Sequence, residues 1–472
     1  MTKKTFYITT AIDYVNAPAH AGHAFEKTLA DALARWHRLQ GEKVWFLTGT
    51  DENAQKNVQA AKEKGIPTKE FVDQNSKMFI ELCEKLNISQ SRFIRTTEKE
   101  HMKKSQEIFK KAYENGDIYK GKYEGYYCIG CEGFKTERDL VDGKCPEHNK
   151  VPEWMSESAY FFKLSKYKNK IIDFAQEYIV PEKRKNEIIS RLKSEELKDL
   201  SVTRTNIEWG IPCPIDKGHK IYVWMDALIN YISGAEGFWP ADVHVIGKGI
   251  NWFHSVIWPG ILFSINESMP KKLLVHGYLN FGGSKISKSL GNVIDPIKLV
   301  ETYGSDSVRY SLLRCSVFED SDYSEEILIE RHNSELANKL GNLISRVSTL
   351  IEKYGLEKTK IKELNSAPLQ KSVEKHFQNY EVDKALNEIF GFIDQCNEFI
   401  QDKKPWETKD TKVLYELANA IKDFTILLYP FIPETAEKIA KTFNFEISLK
   451  SLDTPLKVSK ITKSEILFKK IE

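Results

Sequence analysis

The chain has 472 residues, a length that suits about three domains. Hydrophobic residues make up 41% and charged residues 29%, the balance of an ordinary soluble globular protein, and the net charge of +2 leaves any nucleic-acid contact to local patches. No apolar run approaches the roughly 20 residues needed to cross a bilayer, and Met1 to Lys4 lead straight into a strand without a signal-peptide core, so a cytoplasmic protein with no membrane partner is expected.

In chain order, the β-rich run Phe6 to Thr10 passes through a loop containing Pro18 into a helix. Phe25, Leu29, Leu33 and Trp36 recur there at three and four residues, Gly41 is the expected stop, and Val44 to Leu47 form a second strand. Such a strand–helix–strand unit builds parallel sheets. Alternating strands and helices fill residues 1–115. Over 116–200 the texture changes: Tyr119, Tyr123, Tyr126 and Tyr127 precede Cys128, and a charged helical stretch runs from Pro181 to Asp199. This region reads as an insertion. Strand-like runs return at Ile221 to Met225, His244 to Ile246 and Leu273 to His276, giving a second half of the sheet over 201–275, with a linking region over 276–335. Leu336, Leu340, Leu343, Val347 and Leu350 then open an all-helical region, 336–472, whose Lys-rich, alternating tail from Ser448 matches no element.

Seven cysteines are an odd number for disulfides, and three of them cluster. Cys128 and Cys131 are followed after 13 residues by Cys145, with His148 three further on. Two such knuckles supply three thiolates and an imidazole, a closed set for one structural Zn²⁺ with no open coordination position. The expected fold class is therefore α/β: a split, Rossmann-like, doubly wound parallel sheet carrying an inserted zinc-binding connective domain, followed by a C-terminal all-α helical bundle.

Two stretches carry the chemistry. In His20-Ala21-Gly22-His23, at a strand-to-helix turn, free amides and the helix dipole favour an anion, Gly22 admits a close ligand, and two imidazoles can donate to phosphate. Alone, the pair also reads as surface or capping histidines. Gly282-Gly283-Ser284-Lys285-Ile286-Ser287-Lys288-Ser289 is a glycine-led, doubly cationic loop suited to charge that develops on phosphate, or simply a solvated loop. Neither G-x-G-x-x-G nor a Walker lysine is present. In this order the two resemble the HIGH and KMSKS signatures of class I aminoacyl-tRNA synthetases. Phe46 to Glu52, Tyr222 to Ala227 and Phe253-His254-Ser255 are most similar to the methionyl-tRNA synthetase family, over roughly residues 5 to 430.

The resemblance implies methionine activation by ATP, with Mg²⁺, to methionyl-adenylate, then transfer to the terminal adenosine of initiator and elongator methionine tRNA. It places His20, Gly22, His23, Lys285, Ser287 and Lys288 on ATP, with His20, His23, Lys285 and Lys288 as the catalytic groups. It lines the methionine pocket with Ile12, Tyr14, Asp51, Trp224, Ala227, Leu228, Tyr231 and His254. Read from the residues alone, Asp51 is equally a helix N-cap, and the aromatics equally core. Asn342, Arg346 and Trp406 stand in the N-L-x-S-R and P-W contexts with which the family reads the CAU anticodon; alone, they suit packing or capping. The chain differs from the commoner family pattern at Ala21, Ile286, Asn53-Ala54 and Gly249, the last where an acidic residue is common. It ends without the dimerisation module some members append, so a monomer is expected. A cysteine, isoleucine or valine ligase is opposed by the aromatic pocket and the short insertion, and a non-catalytic tRNA-binding paralogue by the intact histidines and lysines.

Overall fold

The computed structural model describes residues 4–129, 133–135, 137–146, 149–205, 207–281, 284–285, 294–457 and 461–472. Six parallel strands form the central sheet: β1 (Thr5–Tyr14), β2 (Lys43–Asp51), β3 (Arg92–Arg95), β4 (Ile179–Val180), β5 (Val243–Gly247) and β6 (Lys272–His276), in the order β3-β2-β1-β5-β6-β4. The chain thus winds outward from β1 to β3, then resumes on the other side at the outer edge with β4, before β5 and β6 fill in between β1 and β4. The carboxyl ends of β1 and β5 flank this reversal, where open α/β sheets bind ligands.

The first helix, Ala21–Leu39, lies between β1 and β2. Phe25, Leu29, Leu33 and Trp36 are buried as their spacing requires, and Gly41 closes the helix at φ +83° with its amide bonded to Arg38 O at 2.9 Å. Between β3 and β5 the chain builds a four-stranded antiparallel sheet from Ile118–Cys128, Gly133–Lys135, Glu153–Phe162 and Leu200–Ser201. The segment Ile221 to Met225 departs from the expected strand. Only Lys220–Ile221 is extended, and Val223–Ala227 is a short helix, with the Asp226 amide bonded to Tyr222 O at 3.1 Å. Side-chain anchors described below override the apolar run there.

After β6, Leu279–Phe281 pairs with Ser284–Lys285, and the chain is helical from Pro296 to Phe443 apart from short links. Leu336, Leu340, Leu343 and Val347 are fully buried in that bundle. The tail, unassigned from sequence, is a strap. Ile461 is buried, the Ser464 amide donates to Ser348 Oγ at 3.0 Å, and the Ile471 amide donates to Asn333 Oδ1 at 2.9 Å. Burial there recurs about every third residue, at Ile461, Ser464 and Leu467, without sheet pairing among the described residues. No helix among the described residues is long and apolar enough to cross a membrane.

Candidate active site

The site begins where β1 gives way to the first helix. His20 is the N-cap: its Nδ1 accepts from the Gly22 amide at 3.1 Å, while its own amide donates to His23 Nδ1 at 3.0 Å. The two rings stack with centroids 3.7 Å apart. Because both Nδ1 atoms accept, each neutral ring carries its proton on Nε2 as a donor. A Cβ at Gly22 would stand 3.0 Å from the His20 ring, so the reciprocal cap leaves little room for a side chain there. One expectation is corrected here. The first-turn amides are not free for an anion, since Ala21 donates to Ile294 O at 3.2 Å, Gly22 to His20 Nδ1, and His23 to His20 O at 2.9 Å. The helix dipole still favours an anion, but the donors it meets are the imidazoles. The Ile294 bond also ties this turn to the segment that follows the lysine loop.

Below the cap runs an ionic stripe that sequence reasoning missed. His23, Lys27, Asp31 and Arg35 recur every four residues, a spacing that was itself the available signal. Lys27 is fully buried and salt-bridged to Asp13 of β1, and His23 Nε2 lies 3.8 Å from the same carboxylate. Burial works against the Lys27 ammonium, but the Asp13 carboxylate raises its pKa overall, so it stays charged. Deeper, Arg309 lies 2.7 Å from Asp31, which also accepts from Arg35 at 2.7 Å.

Beside this turn stands an aromatic cluster. Trp224 stacks on Phe253 at 3.5 Å, and Tyr14 meets the indole edge-on at 6.2 Å. Trp224 Nε1 is buried with no hydrogen-bond partner among the described residues. His254 Nδ1 donates to Ile250 O at 3.0 Å, which fixes the tautomer, so Nε2 accepts from the Tyr231 hydroxyl at 2.7 Å. Burial lowers His254 to about 4 and pushes the Tyr231 phenol well above its ordinary value, so both stay neutral. Ala227 and Leu228 are buried behind Trp224, and Ile12 is partly buried against the same core. Asp51, buried at the end of β2, pairs in register with Tyr14. The next residues explain the Asn53 difference: Asn53 Nδ2 donates to Asp226 Oδ2 at 2.7 Å, and His101 Nε2 donates to Asp226 Oδ1 at 2.6 Å. This buried cluster, also absent from the sequence reading, anchors the helix that presents Trp224.

The structure thus brings His20, Gly22 and His23 to one end of the sheet with Ile12, Tyr14, Asp51, Trp224, Ala227, Leu228, Tyr231 and His254. Lys285 lies opposite Asn280 in the strand pair after β6, while Ser287 and Lys288 lie outside the described residues. Of the metal-ligand set, Cys128 and Cys145 are buried and in no disulfide, and Cys131 and His148 lie outside the described residues. The Asn149 amide donates to Cys145 O at 2.8 Å. Asn342 is exposed one turn from half-buried Arg346, and Trp406 is half-buried at the start of Pro405–Thr408.

Comparison with known proteins bears on this geometry. Residues 6–153 and 148–348 match the family model "tRNA synthetases class I (M)", and residues 361–471 match "Anticodon-binding domain of tRNA ligase". The methionine–tRNA ligase of Clostridium tetani is 42% identical over 100% of this chain and 79% of its own length. That of Caldanaerobacter subterraneus is 43% identical, again over 100% of this chain and 79% of the relative. Mycobacterium tuberculosis methionyl-tRNA synthetase in complex with methionyl-adenylate superposes with a TM-score of 0.94 at 36% identity, covering 98% of this chain and 99% of that one.

Proposed function

We propose a division of labour for this site from one premise: the chain belongs to the methionine–tRNA ligase family of class I tRNA synthetases. The reaction has two steps. The methionine carboxylate attacks the α-phosphorus of ATP, and pyrophosphate leaves. A ribose hydroxyl of the terminal adenosine of methionine tRNA then takes the methionyl group, releasing AMP and a proton. The protein forms no covalent bond in either step, so catalysis is positioning plus charge stabilisation.

His20 and His23 offer their Nε2–H donors to the ATP phosphates above Gly22. Lys285 and Lys288, with Ser287, hold the leaving pyrophosphate, and Mg²⁺ bound with ATP shares that charge. Asp51 receives the methionine ammonium. Trp224, Tyr14, Ile12, Ala227 and Leu228 enclose the side chain, where sulfur–ring contacts are favourable. Tyr231 and His254, both neutral and hydrogen-bonded to each other, line the site without adding a charge. One observation carries this reading: imidazole donors with a fixed tautomer and a neutral aromatic cluster stand at the same end of the sheet, where β1 and β5 part.

Cys128, Cys131, Cys145 and His148 would hold one structural Zn²⁺. The buried thiols of Cys128 and Cys145 fit that role, and metal analysis of reduced protein should return one zinc per chain. Asn342, Arg346 and Trp406 would read the CAU anticodon of initiator and elongator tRNA from the helical region. Both sites are assigned to one chain, which would act as a cytoplasmic monomer. The test is ATP–pyrophosphate exchange with each amino acid in turn, which should proceed with methionine alone. Lys288→Ala should slow adenylate formation by ~10²–10³-fold, the scale of removing one charge-stabilising group. Exchange driven by another amino acid, or an unaffected Lys288→Ala enzyme, would refute the assignment.

A further inference from the structure

Asp13 and Tyr14 close β1, and as neighbours on a strand they face opposite ways. Tyr14 joins the aromatic cluster at Trp224, whereas Asp13 turns to the first helix, where its carboxylate bonds Lys27. Asp13 is 8% exposed and Lys27 is fully buried. Packing does not account for this pair. Taking two charges out of water costs about as much as their attraction returns, and well-packed apolar residues in their place are commonly as stable or more so. The other titratable groups beside Lys27 are committed elsewhere. Glu26 accepts from the Gly247 amide at 3.1 Å, and burial pushes the Cys83 thiol up to about 12, so it carries no charge.

The Asp13 carboxylate serves two groups. Its Oδ2 is on Lys27, and its Oδ1 lies 3.8 Å from Nε2 of His23, one helical turn before Lys27. The His23 ring is fixed on its other edge, where Nδ1 accepts from the His20 amide at 3.0 Å. His20 stacks on it at 3.7 Å, and Phe79 of the helix Thr68–Lys85 meets it edge-on at 5.3 Å. An amide facing Nδ1 and a carboxylate facing Nε2 both favour the tautomer with its proton on Nε2. A gap of 3.8 Å is too long for a hydrogen bond. The carboxylate thus orients the N–H without holding it, and the proton stays available to a phosphate oxygen.

Lys27 has a part in this arrangement. Burial pushes the Asp13 carboxyl up, and the Lys27 ammonium opposes that shift and keeps it ionised. The same ammonium balances a negative charge that would otherwise repel the phosphates. We propose that Asp13 is a positioning residue for His23, acting through the imidazole to aim its Nε2–H at the ATP phosphates, with Lys27 as the counter-charge. The proposal rests on the ATP-dependent activation proposed above.

Removing either charge alone leaves the other buried and unpaired, so the test removes both, as Asp13→Asn/Lys27→Met in the full chain. This variant should unfold near the wild-type midpoint. Its kcat for methionine-dependent pyrophosphate exchange should fall roughly ten- to hundredfold, the scale of a misplaced catalytic group, with the KM for methionine unchanged. Asp13→Leu/Lys27→Met, an apolar pair, should show the same loss and serves if the first variant does not fold. In a His23→Ala background the same substitutions should cost less than about threefold, because the group they act through is gone. Nitrogen NMR of histidine-labelled protein should show the Nε2–H tautomer of His23 in the wild type and a share of the Nδ1–H tautomer in the variants. A near wild-type kcat in a folded variant, full additivity with His23→Ala, or an unchanged tautomer would overturn the proposal. Absence of exchange by the wild-type protein would instead refute the activation reading, and the tautomer would still decide whether Asp13 positions His23.

Discussion

His254 shows how far a single residue's environment decides its chemistry. Its Nδ1–H is committed to Ile250 O, its Nε2 to the Tyr231 hydroxyl, and burial holds its pKa at about 4. A histidine depressed in the folded state stays neutral there while its unfolded counterpart, near 6.5, takes up a proton. Its contribution is therefore intact above pH 6.5 and is lost as the pH falls towards 4. By pH 5 the loss should be about 2 kcal/mol relative to pH 8. Urea unfolding at the two pH values should show it, and His254→Asn should flatten the difference by a similar amount. An unchanged pH slope in the variant would mean that the imidazole is not the neutral acceptor described. The residue type was legible in the sequence as a pocket candidate. Its tautomer and charge state were not, because both depend on partners that only the fold brings within reach.

The same limit applies to elements. The sheet and the first helix were legible because their signals are local: a β-rich run, a stripe at three and four residues, a glycine stop. Val223–Ala227 was misread because an apolar run does not distinguish a buried strand from a short buried helix. What decides it is Asp226, clamped between His101 and Asn53. Two histidines around a glycine pointed to the end of the sheet proposed to take ATP, yet the stripe beneath them stayed hidden, since Lys27 and Asp31 find partners on β1 and at Arg309. The clamp at Asp226 makes a prediction for its helix. Asp226→Ala leaves two buried polar side chains without their acceptor, a loss of roughly 3 kcal/mol. It also frees the turn that presents Trp224. The KM for methionine should rise about tenfold or more while the KM for ATP changes little, since one displaced pocket wall costs of the order of 1–3 kcal/mol in binding. An unaltered methionine KM in a destabilised variant would show that the clamp serves the core alone.

Across the whole molecule, the helical region is docked on the flank of the first helix. Arg309, fully buried, reaches Asp31 and donates to Leu86 O, Pro430 O and Phe431 O at 2.9 to 3.0 Å. Trp36 of the first helix stacks on Phe377 at 4.3 Å. The C-terminal strap closes the arrangement, with His332 Nε2 donating to Lys469 O at 2.7 Å. These contacts fix the helical region to the sheet without passing through Trp406, which follows Lys404 at the far end of Val382–Lys403. The chemistry at the sheet and the proposed anticodon contacts should therefore separate under mutation. A stacking ring is worth ~1–3 kcal/mol per base, so Trp406→Ala should lower kcat/KM for charging methionine tRNA roughly ten- to hundred-fold. Methionine-dependent pyrophosphate exchange, which needs no tRNA, should stay near wild type. Because Trp406 is half-buried and packs against the bundle core, the variant's unfolding midpoint must be measured alongside. Trp406→Phe separates stacking from packing further, since it keeps a ring and should recover most of the charging rate. Equal damage to exchange and charging would make Trp406 a folding residue, and unchanged preference among anticodon variants of the tRNA would remove it from the recognition surface.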